Sequence, residues 1–198
     1  MEFQHVNVKL FLKDPPAPDL EALIPVFHGW IQDQDRGELL LDVADYRHVP
    51  SGPGVVLIGH EGNYSVDNTG GRWGVRYNRK AALEGSNQDR LVHATQAALD
   101  ACRRLESDSR LGGTIQFNGR ELEVFFNDRL LVPNVPETRP TAAYDLQAFF
   151  STFFGDNHYT FSYPQEPRNL FSVHVQTSRD FDTATLLNSL QALTPLEG

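Results

Sequence analysis

Cysteine is nearly missing from this chain. One residue, Cys102, stands in 198, so no disulfide closes within the chain and no multi-cysteine zinc or iron–sulfur cluster is expected. Long apolar runs are missing too: none approaches the roughly 20 residues that cross a bilayer. Basic charge is in deficit, with 17 Lys and Arg against 26 Asp and Glu for a net −9. That balance repels phosphate backbones and anionic lipid, so no nucleic-acid and no membrane partner is expected. The opening stretch MEFQHVNVKLFLKD alternates like a strand and lacks a basic segment followed by an apolar one. No signal peptide is therefore expected in it, and the expected location is cytoplasmic.

Familiar catalytic signatures are missing as well. There is no glycine-rich phosphate loop ending in Lys-Ser or Lys-Thr, no G-x-G-x-x-G after a strand, no H-E-x-x-H and no G-x-S-x-G. "GHEGN" shares two letters with the zincin motif, but the second histidine is not there. These lacks count against a nucleotide-dependent enzyme, a zincin protease and an α/β-hydrolase.

What is present argues for a folded core: 40% apolar residues and 13 phenylalanines. Val6, Val8, Leu10 and Leu12 share one face of a period-two pattern, a half-buried strand. Leu20, Leu23, Ile24, Phe27 and Ile31 recur at helical spacing behind the N-cap Asp19, with a kink expected at Pro25. "GVVLIGH" is apolar on both faces, which predicts a central strand or an inter-domain seam. "YSVD" and "RWGVRY" alternate around "NTGG", a hairpin. Leu91, Ala94, Ala98, Cys102 and Leu105 form a narrow helical stripe that fits closely against a sheet. Asn118-Gly119 predicts a two-residue type I′ turn, pairing Phe117 with Arg120 and Ile115 with Leu122. Downstream come a helix over "TAAYDLQAFFSTFFG", strands at "YTFSY" and "FSVHVQT", and a helix capped by Asp182.

This order predicts an α+β fold, a largely antiparallel or mixed sheet of about 8–9 strands with four helices packed on it. The proline-rich "VPNVPETRP" suggests an N-terminal α/β half over 1–132 and a C-terminal helix-strand-strand-helix half over 133–198, sharing one sheet or core. A single compact domain and two related α/β halves are the alternatives.

Chemistry concentrates between residues 42 and 67. In one constellation Asp42, Asp45, Tyr46 and His48 follow a strand. If "ADYRH" makes a helical turn, Asp45 touches His48 and the pair forms a general base or half a site for one divalent metal. In the other, His60, Glu61, Asn63 and Tyr64 gather at a strand exit. The candidate catalytic residues are therefore His48, Asp45, His60, Glu61 and Tyr64, and the candidate metal ligands His48 and Asp45; no other cofactor is expected. Ordinary roles compete: a surface ion pair for the first group, a decorated tight turn for the second. Strand alternation turns Glu61 away from His60. His48 and His60 fall at opposite ends of one strand, on the order of 15–20 Å apart.

His28, His93 and His174 read as core or boundary histidines, and Cys102 as a small core residue. Arg72, Arg76, Arg79 and Lys80 form either a basic patch or a solvated strand face. The phenylalanine-rich "LQAFFSTFFGDNHYTFSY" reads as core plus subunit interface, which suggests a homodimer. The expected function is binding of a small molecule or a protein partner without catalysis. The alternative is a small acid/base or single-metal enzyme built on Asp45/His48 or on His60/Glu61/Tyr64.

Overall fold

The period-two run at the N-terminus becomes the strand around which the rest is built. The computed structural model describes residues 1–13, 17–34, 37–155, 158–164, 166 and 168–193. In it, β1 (Val6–Leu12) turns Val6, Val8 and Leu10 to one face, each at most 1% exposed. It is followed by α1 (Leu20–Asp33), a meander of β2 (Leu40–Tyr46), β3 (Gly54–Gly59), β4 (Gly62–Asp67) and β5 (Gly74–Arg79), and α2 (Asn87–Ser107). Next come β6 (Phe117–Phe126), α3 (Thr138–Phe153), β7 (Tyr159–Ser162), β8 (Phe171–Thr177) and α4 (Thr183–Gln191). The strands form one sheet in the order β2-β3-β4-β5-β1-β6-β8-β7, and every neighbouring pair is antiparallel. The fold is α+β, with an eight-stranded antiparallel sheet and four helices.

Helix ends follow local chemistry. Ser86 and Asp89 form a capping box at α2: the Ser86 hydroxyl accepts from the Asp89 N–H at 3.2 Å, and the Asp89 carboxylate accepts from the Ser86 N–H at 2.7 Å. Asp19 and Asp182 cap α1 and α4, each such cap contributing about 1 kcal/mol. The stripe read from the sequence is buried on α2, which lies on β1 and β5 and carries α3 and α4 on its flank. α1 packs on β2 and β3. All four helices share one face of the sheet.

Three expectations change. First, Asn118-Gly119 is not a turn: β6 runs unbroken through both, and neither has a positive φ. The Asn118 carboxamide instead accepts from the Arg120 N–H at 3.1 Å and donates to Glu121 at 2.8 Å. Gly119 is glycine for a different reason, since a Cβ there would lie 1.7 Å from the Phe181 carbonyl oxygen. Second, β3 is second from the sheet edge rather than central. Its two-sided apolarity is accounted for by Val55 and Leu57 under the helices and Val56, 9% exposed, on the helix-free face. Third, the phenylalanine-rich segment divides: Phe149, Phe150, Phe153 and Phe154 are at most 3% exposed in the core, while Tyr159, Phe161 and Tyr163 are only partly buried against it.

The helix-free face is polar yet well buried at its centre. A single register row crosses all eight strands as Ala44, Val56, Ser65, Arg76, Lys9, Glu123, His174 and Ser162. Lys9 is 1% exposed and pairs with Asp67 at 2.5 Å, also donating to the Thr69 carbonyl at 3.0 Å. Burial pushes the Lys9 ammonium pKa down, against the pull of Asp67. Arg72 is bonded to Glu121 and lies 4.0 Å over Phe11, while His174 shares Glu121 at 2.8 Å. The four basic residues noted in the sequence are thus split: Arg72 and Arg76 serve this face, Arg79 turns toward the helices, and the Lys80 ammonium holds the Gly59 carbonyl.

Two stability tests follow from this packing. Gly119→Ala is expected to cost about 3 kcal/mol, because backbone rather than a flexible tip stands in the way, read as a lower urea midpoint at unchanged slope. Lys9→Met is expected to cost about 3–5 kcal/mol by stranding the Asp67 carboxylate, and the double change Lys9→Met/Asp67→Leu to recover most of that loss. Equal losses in the single and double variants would contradict the ion-pair assignment.

Candidate functional site

The tight turn between β3 and β4 is His60-Glu61, flanked by glycines. Gly62 is needed for close approach: a Cβ there would come 2.6 Å from the ring of Tyr77, the buried aromatic of β5. From this corner Tyr64 and Tyr77 stand side by side under α2, their rings 5.0 Å apart, with the His93 ring 6.0 Å from Tyr77. Glu38, just before β2, reaches the same place, where its Oε2 accepts from the Tyr64 hydroxyl at 2.7 Å.

Arg79 closes the other side. Its Nη1 donates to Glu61 Oε2 at 2.6 Å and faces His93 Nε2 at 3.5 Å, while its Nε donates to the Ala81 carbonyl at 2.8 Å. A guanidinium only donates, so the facing His93 nitrogen is the acceptor and the ring proton sits on Nδ1. Glu38, Glu61 and Tyr64 line one side of an open groove of about 430 Å³ whose far wall is Val92, His93, Gln96 and Asp100 of α2. A neighbouring cavity between Trp30, Leu40 and Ala101, which shares Glu38, Tyr64 and Ala97 with the groove, measures about 20 Å³, room for a single water. Arg104 lies there, 4.0 Å over the Trp30 ring.

The electrostatics of the groove push its groups apart. Burial raises the Glu38 carboxyl above its usual range, and Glu61 nearby adds to the rise against the Tyr64 hydrogen bond. Burial and then Arg79 lower His93, keeping it neutral. Burial drives the Tyr77 hydroxyl to about 12. The Gly62 backbone also hydrogen-bonds the Glu38 carboxyl, and among the described residues the buried Oε1 has no side-chain partner. The other acids are engaged: Glu61 by Arg79, and Asp100 by Gln96 at 2.9 Å and Arg103 at 3.3 Å.

The residues singled out in the sequence divide between this groove and elsewhere. Tyr64 and Glu61 line it; His60 is exposed on the turn, its backbone N–H donating to the Leu39 carbonyl at 2.7 Å. Asp45 and His48 are exposed at the far end of β2. The Asp45 carboxylate there accepts from the Arg47 side chain at 2.7–3.0 Å and from the Arg47 N–H at 3.0 Å, which holds it down at about 2. His48 stacks on Tyr46 at 6.4 Å instead. Among the described residues, no three His, Cys, Asp or Glu side chains come together in a metal-holding group. Cys102 is fully buried and its thiol pKa is raised well above the ordinary value.

Glu38, Arg79 and His93 were not among the sequence candidates. Glu38 and Tyr64 are 26 positions apart and meet only through the meander. No helix among the described residues is long and apolar enough to cross a membrane. Compared with known proteins, the chain matches no family model and no curated sequence.

The two perturbed groups give opposite pH signatures. Glu38, raised in the folded state, contributes stability that is present below the ordinary carboxylate range and lost as pH climbs through its folded pKa. His93, lowered in the folded state, contributes stability present above the ordinary imidazole range and lost as pH falls through its folded pKa. Glu38→Gln is therefore expected to melt higher than wild type at pH 7 and to lose that advantage by pH 4. A constant difference across that span would show that Glu38 is not desolvated.

Proposed function

We propose that the chain is a non-catalytic binding module for a basic protein partner, which seats an ammonium or guanidinium group in the groove against Glu38. The observation that carries this reading is the Glu38 carboxylate, desolvated in the groove, held by the Tyr64 hydroxyl and the Gly62 backbone, and without an ion pair among the described residues. Such a group is costly when ionised and becomes favourable once a cation arrives. The net charge of −9 would draw a basic partner toward it and speed encounter. A small-molecule pocket encloses most of its ligand, whereas this groove is open and the cavity beside it holds about 20 Å³. That favours a side chain delivered on a partner surface, and Arg is the residue most often found as such an anchor. The same reading places the protein in the cytoplasm, with the buried Cys102 thiol reduced.

A second reading has its own observation. A carboxyl raised in pKa and a histidine lowered in pKa line one groove, the pattern of an acid paired with a base. In that version Glu38 supplies a proton, His93 receives one, and Tyr64 and Glu61 position substrate.

Calorimetric titration with a tetra-arginine peptide and with butylamine tests the binding reading. The peptide is expected to bind, more tightly as pH rises through the Glu38 pKa and more weakly with added salt. Glu38→Gln is expected to lose at least about tenfold of the affinity, and a change at the exposed Glu84 to lose little. Butylamine binding as well as the peptide would identify a small amine as the ligand. Peptide binding indifferent to Glu38→Gln would remove the groove from the account.

A further inference from the structure

We infer that the helix-free face carries a second site, for a neutral planar ligand whose edge presents a hydrogen-bond donor beside an acceptor, as a primary carboxamide or a free nucleobase does. The site is built on Asn7, which is 0% exposed and whose Nδ2 and Oδ1 both lack a hydrogen-bond partner among the described residues. Asn63 Oδ1 and Arg76 Nε, on the same face, are buried and unpartnered too. They come from three consecutive strands: Asn63 on β4 is opposite Asn78 on β5, and Asn78 is opposite Asn7 on β1. Yet the Asn7 carboxamide bonds to neither of its neighbours.

This is not a general failure of polar pairing on that face. Lys9 is held by Asp67, His174 by Glu121, and the Ser172 hydroxyl donates to Glu123 at 2.8 Å. Asn7 is the one residue of this face whose carboxamide has both its oxygen and its nitrogen unsatisfied, and buried polar groups in native folds are seldom left unpaired. Its chemistry specifies the ligand. A carboxamide with both atoms uncommitted takes two parallel hydrogen bonds from an edge that mirrors it, while Arg76 Nε adds a donor and Asn63 Oδ1 an acceptor. The charges beside it are already matched within the chain, so a neutral ligand fits and an ion does not. A ceiling is present as well. The Arg76 guanidinium lies 4.4 Å over the Phe125 ring on β6, and β1 lies between β5 and β6, so Arg76 crosses over Asn7. A planar ligand stacks against such a pair of flat groups. Admission needs one partly exposed side chain to swing, since Arg76 is 18% exposed.

Benzamide and adenine are the probes, with methyl benzoate, which accepts but does not donate, as the control. Calorimetry is read together with the side-chain NH₂ resonances of Asn7. Benzamide, adenine or both are expected to bind and to shift those resonances, and methyl benzoate to do neither; whichever binds identifies the source of the edge. Asn7→Leu is expected to lose at least about tenfold in affinity and to raise the Tm of the unliganded protein by about 2–4 °C, since it removes an unsatisfied amide. Should that variant fail to fold, the wild-type Asn7 resonances still decide the matter. Unmoved Asn7 resonances with both probes, or probe binding unchanged in Asn7→Leu, would overturn the assignment.

Discussion

A lysine ammonium at 1% exposure, held by one carboxylate 2.5 Å away, sets the terms for the rest of this fold. An eight-stranded sheet with every helix on one side has to close its other face with side chains alone. Here that closure is made from charge rather than apolar bulk. Lys9 is anchored by Asp67 and Thr69, Arg76 spreads over Phe125, and Arg72 over Phe11. Planar guanidinium groups suit this task because they stack on rings while staying hydrated at one edge. The arrangement also resists misplacement, since a buried pair that loses its partner costs far more than a surface one.

The two faces treat charge in opposite ways. On the helix-free face each buried charge has its counterpart within the chain. In the groove under α2, Arg79 answers Glu61, Gln96 and Arg103 answer Asp100, while Glu38 is held by the Tyr64 hydroxyl and the Gly62 backbone and makes no ion pair among the described residues. The cation of the proposed partner would answer that imbalance. Asp45, the other prominent carboxylate, is saturated by Arg47 and has nothing comparable to offer.

Much of the frame was legible in the residues. The alternation in β1, the α2 stripe and the Asp19 and Asp182 caps are local signals, and they fold as local signals should. Asn118-Gly119 misleads because a two-letter turn signal carries no knowledge of the α4 approach, where the Phe181 carbonyl demands a glycine in mid-strand. The "GHEG" turn was visible and so was Tyr64, but Glu38 and His93 were not. Their significance comes from β2, β4, β5 and α2 converging, and no short-range spacing encodes that convergence. Asn7 illustrates the same limit: in sequence it is one polar letter in an alternating strand, and only the register with Asn78 and Phe125 reveals that its amide is sealed in.

The β4–β5 hairpin ties the two sites into one constraint. Along β4, Asn63 faces the helix-free side and Tyr64 the groove; along β5, Tyr77 faces the groove and Asn78 the other side, with Asn63 opposite Asn78 and Tyr64 opposite Tyr77. A shift of one residue in this pairing would exchange every one of these side chains between faces, dismantling both sites together. The register is therefore held from both sides at once: by Tyr77 fitted against Gly62 beneath the helices, and by Asp67 bound to Lys9 on the far face. A ligand that tightened either anchor would bias the same hairpin. Any coupling between the groove and the asparagine site would then run through these two strands and be reciprocal by thermodynamic necessity.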